Sequence, residues 1–272
     1  MNLNKLCDIA IKAARSAGKL IQQSVEKNIT VRRKLGAENY GAQVVTEIDY
    51  AAEKIILDHL LPSCEEYDLA LLSEEREDDG SRFEKAYFWC IDPMDGTLAF
   101  INKKPGYSVS IALVSKDGTP HIGVVYNPVT DTLYHAIKGE GTFKNNNILK
   151  LKSDNSCLSY FTDKKMESNK RSEDIKQLIA ETLKKLGLGQ YQEISGAGAV
   201  LNCIQVLENG PACMFKFPKP DKGGGCIWDY AAVICIYNEL NLTATDFNGA
   251  AIELNKVGDA YMNEKGVFFS NF

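Results

Sequence analysis

The chain has 272 residues, with 31 Lys and Arg against 36 Asp and Glu and a formal net charge of −5. That balance excludes the one-signed basic surface of a general nucleic-acid binder. No apolar run approaches the length of a membrane span, and Met1–Lys5 leads into a charged periodic segment rather than a secretory signal, so a cytoplasmic protein without a membrane partner is expected.

Leu6, Ile9, Ala13, Ala17, Ile21 and Val25 recur at three- and four-residue spacing and predict a first helix, with Lys12, Arg15, Lys19 and Gln22 opposite. Ile29–Lys34 reads as a strand and Gly36–Gly41 as a polar loop. After Val44–Asp49 a second helix is expected over Ala51–Leu61, ended by Pro62, which places Asp49 at its start as a cap or as a carboxylate aimed into a site. Asp68–Ser73 is a short apolar strand that hands over to Glu74-Glu75, and Arg76–Phe83 is a charged loop. The run Tyr87–Ile91 predicts a strand feeding Asp92-Pro93-Met94-Asp95-Gly96-Thr97. Beyond Pro105-Gly106, the alternating segments Tyr107–Ser115 and His121–Tyr126 flank a turn and form a hairpin, and Thr132–Lys138 and Gly141–Phe143 continue the meander.

The polar stretch 145–157 is the expected seam between an N-terminal α+β half, residues 1–152, and a C-terminal half, residues 153–272. In the second half, helices are predicted from Ile175 to Leu186, over Ala199–Glu208 and over Trp228–Asn238. Strands are predicted at Ala212–Phe217, Thr243–Thr245 and Val267–Ser270. This mixture implies stacked helix and sheet layers.

A strand that delivers Asp92 and Asp95 into a tight turn, with Glu74 and Glu75 ending another strand, suits hard divalent cations. Gly96-Thr97 just beyond offers backbone N–H groups and a hydroxyl for a phosphate. Asp229 stands between an aromatic residue and an apolar helix, where an unpaired carboxylate would be costly, so it is a cap, a partner to a base or a metal ligand. Metal-assisted hydrolysis of a phosphate ester follows from this set. His59, His121 and His135 lie outside it and read as structural. The eight cysteines are scattered without a CxxC pair, most of them in apolar segments, which favours free thiols over disulfides or a zinc site.

The Asp92–Thr97 motif with Phe100 beyond it resembles the signature of the inositol monophosphatase superfamily. Thr46-Glu47-Ile48-Asp49, Ser73-Glu74-Glu75, Gly123-Val124-Val125-Tyr126 and Trp228-Asp229 followed by Ala231-Ala232 resemble its other motifs, in the same order, from about residue 5 to 265. The resemblance implies a layered α-β-α-β-α fold with a large antiparallel sheet and a smaller mixed one, and a magnesium-dependent, lithium-sensitive phosphatase with two or three Mg2+ per site. By it, Glu74, Asp92 and the Met94 carbonyl hold one ion, and Asp92, Asp95 and Asp229 a second. Glu75 positions a third with its waters, Asp49 and Thr97 orient the attacking water, and the N–H groups of Gly96 and Thr97 receive phosphate oxygens. It leaves both a homodimer and a monomer open.

The substrate is expected to be a small phosphorylated metabolite. Ser195–Ala199 resembles the loop beside the leaving group, where Gly196 and Gly198 permit close approach and Ala197 is expected to border the substrate. The segment from Lys216 to Gly225 carries Lys216, Lys219 and Lys222, which could neutralise a second phosphate, and it has no clear glutamate for a sugar hydroxyl. Ile227-Trp228-Asp229 resembles the 3′(2′),5′-bisphosphate nucleotidase branch. Removal of the 3′-phosphate of adenosine 3′,5′-bisphosphate is therefore expected, with an inositol-1-phosphate or other sugar monophosphatase or bisphosphatase as the alternative. A phosphate-binding protein without turnover would show lost ligands, yet Asp49, Glu74, Asp92, Asp95, Thr97 and Asp229 all stand.

Overall fold

The computed structural model describes residues 1–27, 31–33, 44–151 and 156–272. Its helices are α1 (Leu3–Ser24), α2 (Glu47–Tyr67), α3 (Thr97–Ile101), α4 (Ser172–Leu186), α5 (Ala199–Glu208) and α6 (Ile227–Glu239). Strands β1 (Val31–Arg33) and β2 (Val44–Thr46) pair with each other. β3 (Ala70–Ser73), β4 (Tyr87–Asp95), β5 (Ser108–Ser115), β6 (Pro120–Asn127), β7 (Thr132–Ile137), β8 (Gly141–Lys144) and β9 (Asn147–Ile148) form a seven-stranded sheet in that order. It is antiparallel apart from the β3–β4 pair. β10 (Leu158–Thr162), β11 (Tyr191–Ser195), β12 (Ala212–Lys216), β13 (Thr243–Thr245) and β14 (Val267–Ser270) form a mixed five-stranded sheet ordered β11-β10-β12-β14-β13.

The period-2 geometry of β4 explains its unbroken apolar run. Trp89 and Ile91 face one side, where they join Leu6, Ala13, Ala17, Ile21, Ile56 and Leu60 of α1 and α2. Phe88 and Cys90 face the other side and meet α5 and α6 through Ile204, Ala231 and Cys235. A strand covered on both faces has no reason to alternate with polar residues. On the far side of the small sheet, Ile175 and Ile179 of α4 pack on Leu158, Tyr160 and Phe215. The layers are therefore α1/α2, the large sheet, α5/α6, the small sheet and α4: the α-β-α-β-α order expected from the resemblance.

Most elements fall where the sequence places them. The second helix does not: Pro62 lies inside α2, which continues to Tyr67 and ends at Asp68 in the left-handed conformation. Proline removes only its own donor, and the helix gains another tie nearby. Ser63 Oγ donates to the Leu60 carbonyl and accepts from the buried Trp89 indole at 3.0 Å, so the turn after the proline is anchored to the core. Strand β11 escaped the sequence reading because its residues are largely exposed on a sheet edge and lack an apolar signal. The expected strand at Ile29–Lys34 is seen as Val31–Arg33, whereas the loop at 36–41 and the boundary at 152/153 fall outside the described residues. All eight cysteines are free thiols. Among the described residues no helix is long and apolar enough to cross a membrane.

Arg82 joins the loop after Glu74-Glu75 to the C-terminal half. Its side chain is 1 % exposed, stacks over Phe83, and donates to Asp78 at 2.7 Å and to Asn255 Oδ1 at 2.6 Å. Asn255 returns a hydrogen bond to the Arg82 carbonyl. Arg82→Ala strands these partners and opens a buried volume, so a loss of about 3 kcal/mol is expected in urea unfolding at constant m-value. A change below about 0.5 kcal/mol would show that the clasp is dispensable.

Candidate metal centre

The register between β4 and β5 shifts between Asp92 and Asp95. Asp92 stays opposite Ser110 and Asp95 opposite Ser108, so the extra residue lies at Pro93-Met94 between the two carboxylates, and such bulges are common beside functional sites. Asp92 Oδ1 accepts from the Met94 N–H at 3.0 Å, which fixes the turn around Pro93. From the parallel neighbour β3, the Glu74 N–H donates to the Ile91 carbonyl and brings Glu74 alongside. Asp229 arrives from α6. Glu74, Asp92 and Asp229 each place a carboxylate oxygen within 4.8 Å of the others. They lie on the floor of a cleft of about 620 Å³ that reaches between the two sheets.

Asp229 combines the two roles left open for it. Its Oδ2 accepts from the Cys226 N–H at 2.7 Å, a cap that starts α6, while the carboxylate remains in the acidic cluster. Asp49 likewise caps α2: Thr46 N–H and Oγ1 both donate to its Oδ2, at 2.7 and 2.6 Å. Its other oxygen, Oδ1, lies 3.0 Å from Thr97 Oγ1, whose single proton also has the Met94 carbonyl within reach at 3.1 Å.

Asp95 is held differently from the other acids. Its two oxygens accept the first N–H groups of α5, from Ala199 and Val200, each at 3.0 Å. The carboxylate thereby locks the β4 turn to the Gly196–Gly198 loop, and the close approach allowed by Gly198 is to Asp95 itself. Gly96 is needed for another reason. Its φ is +84°, and a Cβ there would overlap the Gly106 carbonyl and sit 3.0 Å from Tyr107 Cα.

Crowding of acids raises their proton affinity. Burial, then the charges of Glu74, Asp229 and Asp95, push Asp92 well above the usual carboxylate range. Burial and Glu74 bring Asp229 to about 6, although Lys216 and the Cys226 N–H oppose the rise. Burial lifts Asp49 to about 6 against its hydrogen bonds from Thr46. Three oxygen-donor groups converging in this way fit a hard divalent cation, whose charge would relieve the repulsion.

Since these folded-state values lie above the ordinary 3.8, the folded protein holds more protons than the unfolded chain. The stabilisation is full below the unfolded value and is lost as pH rises through about 6. The Tm of the metal-free protein is therefore expected to climb between about pH 7.5 and about pH 5.5. Magnesium should raise Tm more at the higher pH, where protons compete less. A magnesium-induced shift independent of pH would contradict the acidic cluster as its binding place.

The other expected site residues divide. Met94, Gly96, Thr97, Gly196, Ala197 and Lys216 line the cleft. Glu75 does not, and one of its carboxylate oxygens is shielded from solvent. Lys222 also lies off the cleft, 3.5 Å from Asp259. Lys216 pairs with Asp163 at 2.6 Å, and Asn202 donates to the other oxygen of Asp163. Burial works against the Lys216 ammonium, but Asp163 and Asp229 outweigh it and hold its pKa above the usual lysine value. Lys219, one of the three lysines expected to meet a phosphate, lines the cleft as well, and so do Asp163, Lys104, Lys164 and Arg171, which sequence reading passed over. Asp163 follows β10 and Lys216 ends β12, its parallel neighbour, which pairs Met214 with Phe161, a juxtaposition visible only once the register is known.

Residues 2–271 match the model of the inositol monophosphatase family. The chain belongs to that family. It is accordingly a magnesium-dependent phosphomonoesterase, with the acidic cluster in place to bind the cation. Among relatives, it is 34% identical over 260 residues to a Nus factor SuhB of Pasteurella multocida, covering 91% of this chain and 87% of that one. It is 28% identical to inositol monophosphatase 2 of Solanum lycopersicum, covering 93% and 91%. The match to the inositol-1-monophosphatase of Bacillus subtilis, at 32% identity, spans only about half of each protein, 53% of this chain and 52% of the relative. The fold is that of the Thermotoga maritima inositol monophosphatase, with a TM-score of 0.71 at 24% identity over 98% of this chain and 92% of that one.

Proposed function

We propose that the protein hydrolyses the phosphate monoester of a small polyhydroxylated alcohol, an inositol or sugar phosphate. The observation that carries this reading is the convergence of Glu74, Asp92 and Asp229 on the floor of a cleft large enough for a phosphorylated sugar. Two inositol monophosphatases among the full- or half-length relatives support the choice of alcohol. Glu74, Asp92 and the Met94 carbonyl would hold one magnesium ion, and Asp92, Asp95 and Asp229 a second, with Glu75 beside them for a third. Bound magnesium supplies charge neutralisation at the phosphate and acidifies water.

The chain's own groups do the rest. The N–H groups of Gly96 and Thr97 orient phosphate oxygens. Thr97 Oγ1, hydrogen-bonded to Asp49, positions a water and passes its proton toward a carboxylate whose pKa of about 6 suits proton acceptance near neutrality. Gly196 and Ala197 border the leaving alcohol. No cysteine or histidine nucleophile is required.

Release of inorganic phosphate from myo-inositol 1-phosphate, fructose 1,6-bisphosphate, adenosine 3′,5′-bisphosphate and AMP, with and without magnesium, tests the proposal. Magnesium-dependent turnover of the inositol or sugar ester is the expected result. Inertness toward all four would remove it. Adenosine 3′,5′-bisphosphate is the second reading, favoured by the cations that line the outer cleft.

A further inference from the structure

Of the buried residues of α2, two are acids: Asp49 in the first turn and Glu53 one turn further on. Their four-residue spacing puts both on one face of the helix. Asp49 is accounted for by its cap and by Thr97. Glu53 does not line the cleft, yet it is only 6 % exposed, on a helix whose Ala52, Ile56 and Leu60 enter the core. A carboxylate is costly to bury in such a place, and packing a helix on a sheet does not call for one.

The partners of Glu53 belong to the turn that carries Glu74. Its Oε1 accepts from Ser73 Oγ at 2.6 Å, and Ser73, itself buried, ends β3 immediately before Glu74. Its Oε2 lies 3.4 Å from Arg76 Nε. The Arg76 N–H donates to the Ser73 carbonyl at 3.3 Å, so residues 73 to 76 close into a turn with Glu74-Glu75 at its tip. The Ser73 bond is the stronger of the two contacts, being short, buried and made to a carboxylate, whereas Arg76 is half exposed and its ion pair contributes little. β3 is a four-residue strand at the edge of the large sheet, so it lacks the second ladder that pins a central strand. On the β4 side the Glu74 N–H is held by the Ile91 carbonyl at 3.1 Å. Glu53 supplies the hold from the α2 side.

We propose that Glu53 is a positioning residue for metal binding: through Ser73 it fixes the turn that sets Glu74 against Asp92 and Asp229, and ties that turn to the helix that carries Asp49. This rests on the metal-centre reading of the acidic cluster and deepens it. Glu74 must stand beside two carboxylates that repel it until a cation binds, and a turn free to swing would let it retreat toward solvent. A partner behind the ligand removes that freedom, as the groups that orient metal ligands do elsewhere.

The test is magnesium binding to the full chain, measured by titration calorimetry without substrate, with kcat and KM followed alongside. Glu53→Gln keeps the shape and removes the charge, and Ser73→Ala removes the hydroxyl that joins Glu53 to the Glu74 turn. Each is expected to weaken magnesium binding about tenfold and to raise the magnesium needed for half-maximal turnover by the same factor, while KM for the ester at saturating magnesium stays within about twofold. Because both substitutions act through one hydrogen bond, the double variant should bind magnesium about as well as either single one. A lower Tm with unchanged magnesium affinity in both single variants would make Glu53 a structural residue and overturn the proposal, as would losses that multiply in the double variant. Ser73→Ala leaves a buried carboxylate oxygen unpaired; should it not fold, Glu53→Gln decides by the same criterion. A wild type that binds no magnesium overturns the metal-centre reading, and this inference with it.

Discussion

Asp92→Asn is expected to lower kcat/KM for a phosphomonoester at least about a thousandfold, some 4 kcal/mol of transition-state stabilisation, while the protein still folds. Asp92 is the most completely enclosed member of the cluster, at 1 % exposure, and the acid whose charge is opposed by all three neighbours. The amide keeps the shape and can still accept the Met94 N–H through its oxygen, so the turn should survive. What it removes is a negative charge at the centre of the acidic cluster, which would help hold the proposed ions. Stability and activity should therefore move in opposite directions. Without magnesium the variant's Tm should exceed that of the wild type near neutral pH, because a buried like-charge repulsion has gone. With magnesium the order should reverse. A variant less stable than the wild type in the absence of metal would mean that Asp92 is held by structure-forming contacts rather than poised for a cation.

The same physics explains what was legible before any coordinates. The carboxylates stood out because each follows a strong local signal: Glu74 ends an apolar strand, Asp92 ends another, and Asp229 opens an apolar helix. A charged group in such a place has no cheap structural explanation, so its chemistry shows in one dimension. The periods of helix and strand along the chain showed only stacked helix and sheet layers, and their order followed from the family resemblance. Pro62 misled because proline is costly in a helix only by the bond it removes and the ring it inserts, and a core anchored through Ser63 and Trp89 overrides that. The outer cleft was hardest to read. Lys222 and Lys216 look equivalent in sequence, yet one meets Asp259 off the cleft and the other meets Asp163 in the cleft wall. Each lysine's partner stands 37 or 53 positions away, and nothing local announces it.

Gly198→Ala is expected to cost about 3 kcal/mol, a fall in Tm of roughly 6 °C or more, and to cut activity about a hundredfold. The backbone there, with φ −66° and ψ 172°, is open to any residue, so the cost is not conformational. It comes from space. An added Cβ would lie 2.5 Å from Asp95 Cγ and Oδ1 and closer still to Oδ2. Asp95 cannot step aside without releasing the N–H groups of Ala199 and Val200, and the helix start cannot retreat without breaking the 2.8 Å bond from the Gly198 N–H to the Gly106 carbonyl. Either escape leaves buried donors unpaired and pulls the β4 turn away from the loop that borders the leaving group. Gly196→Ala is the contrasting control. Its φ of +111° strains an alanine, but no atom lies within 4 Å of the added Cβ. That substitution should cost about 1–2 kcal/mol with far less effect on turnover. Equal losses from the two, in thermal unfolding and in kcat, would show that loop conformation rather than the Asp95 contact governs this part of the site.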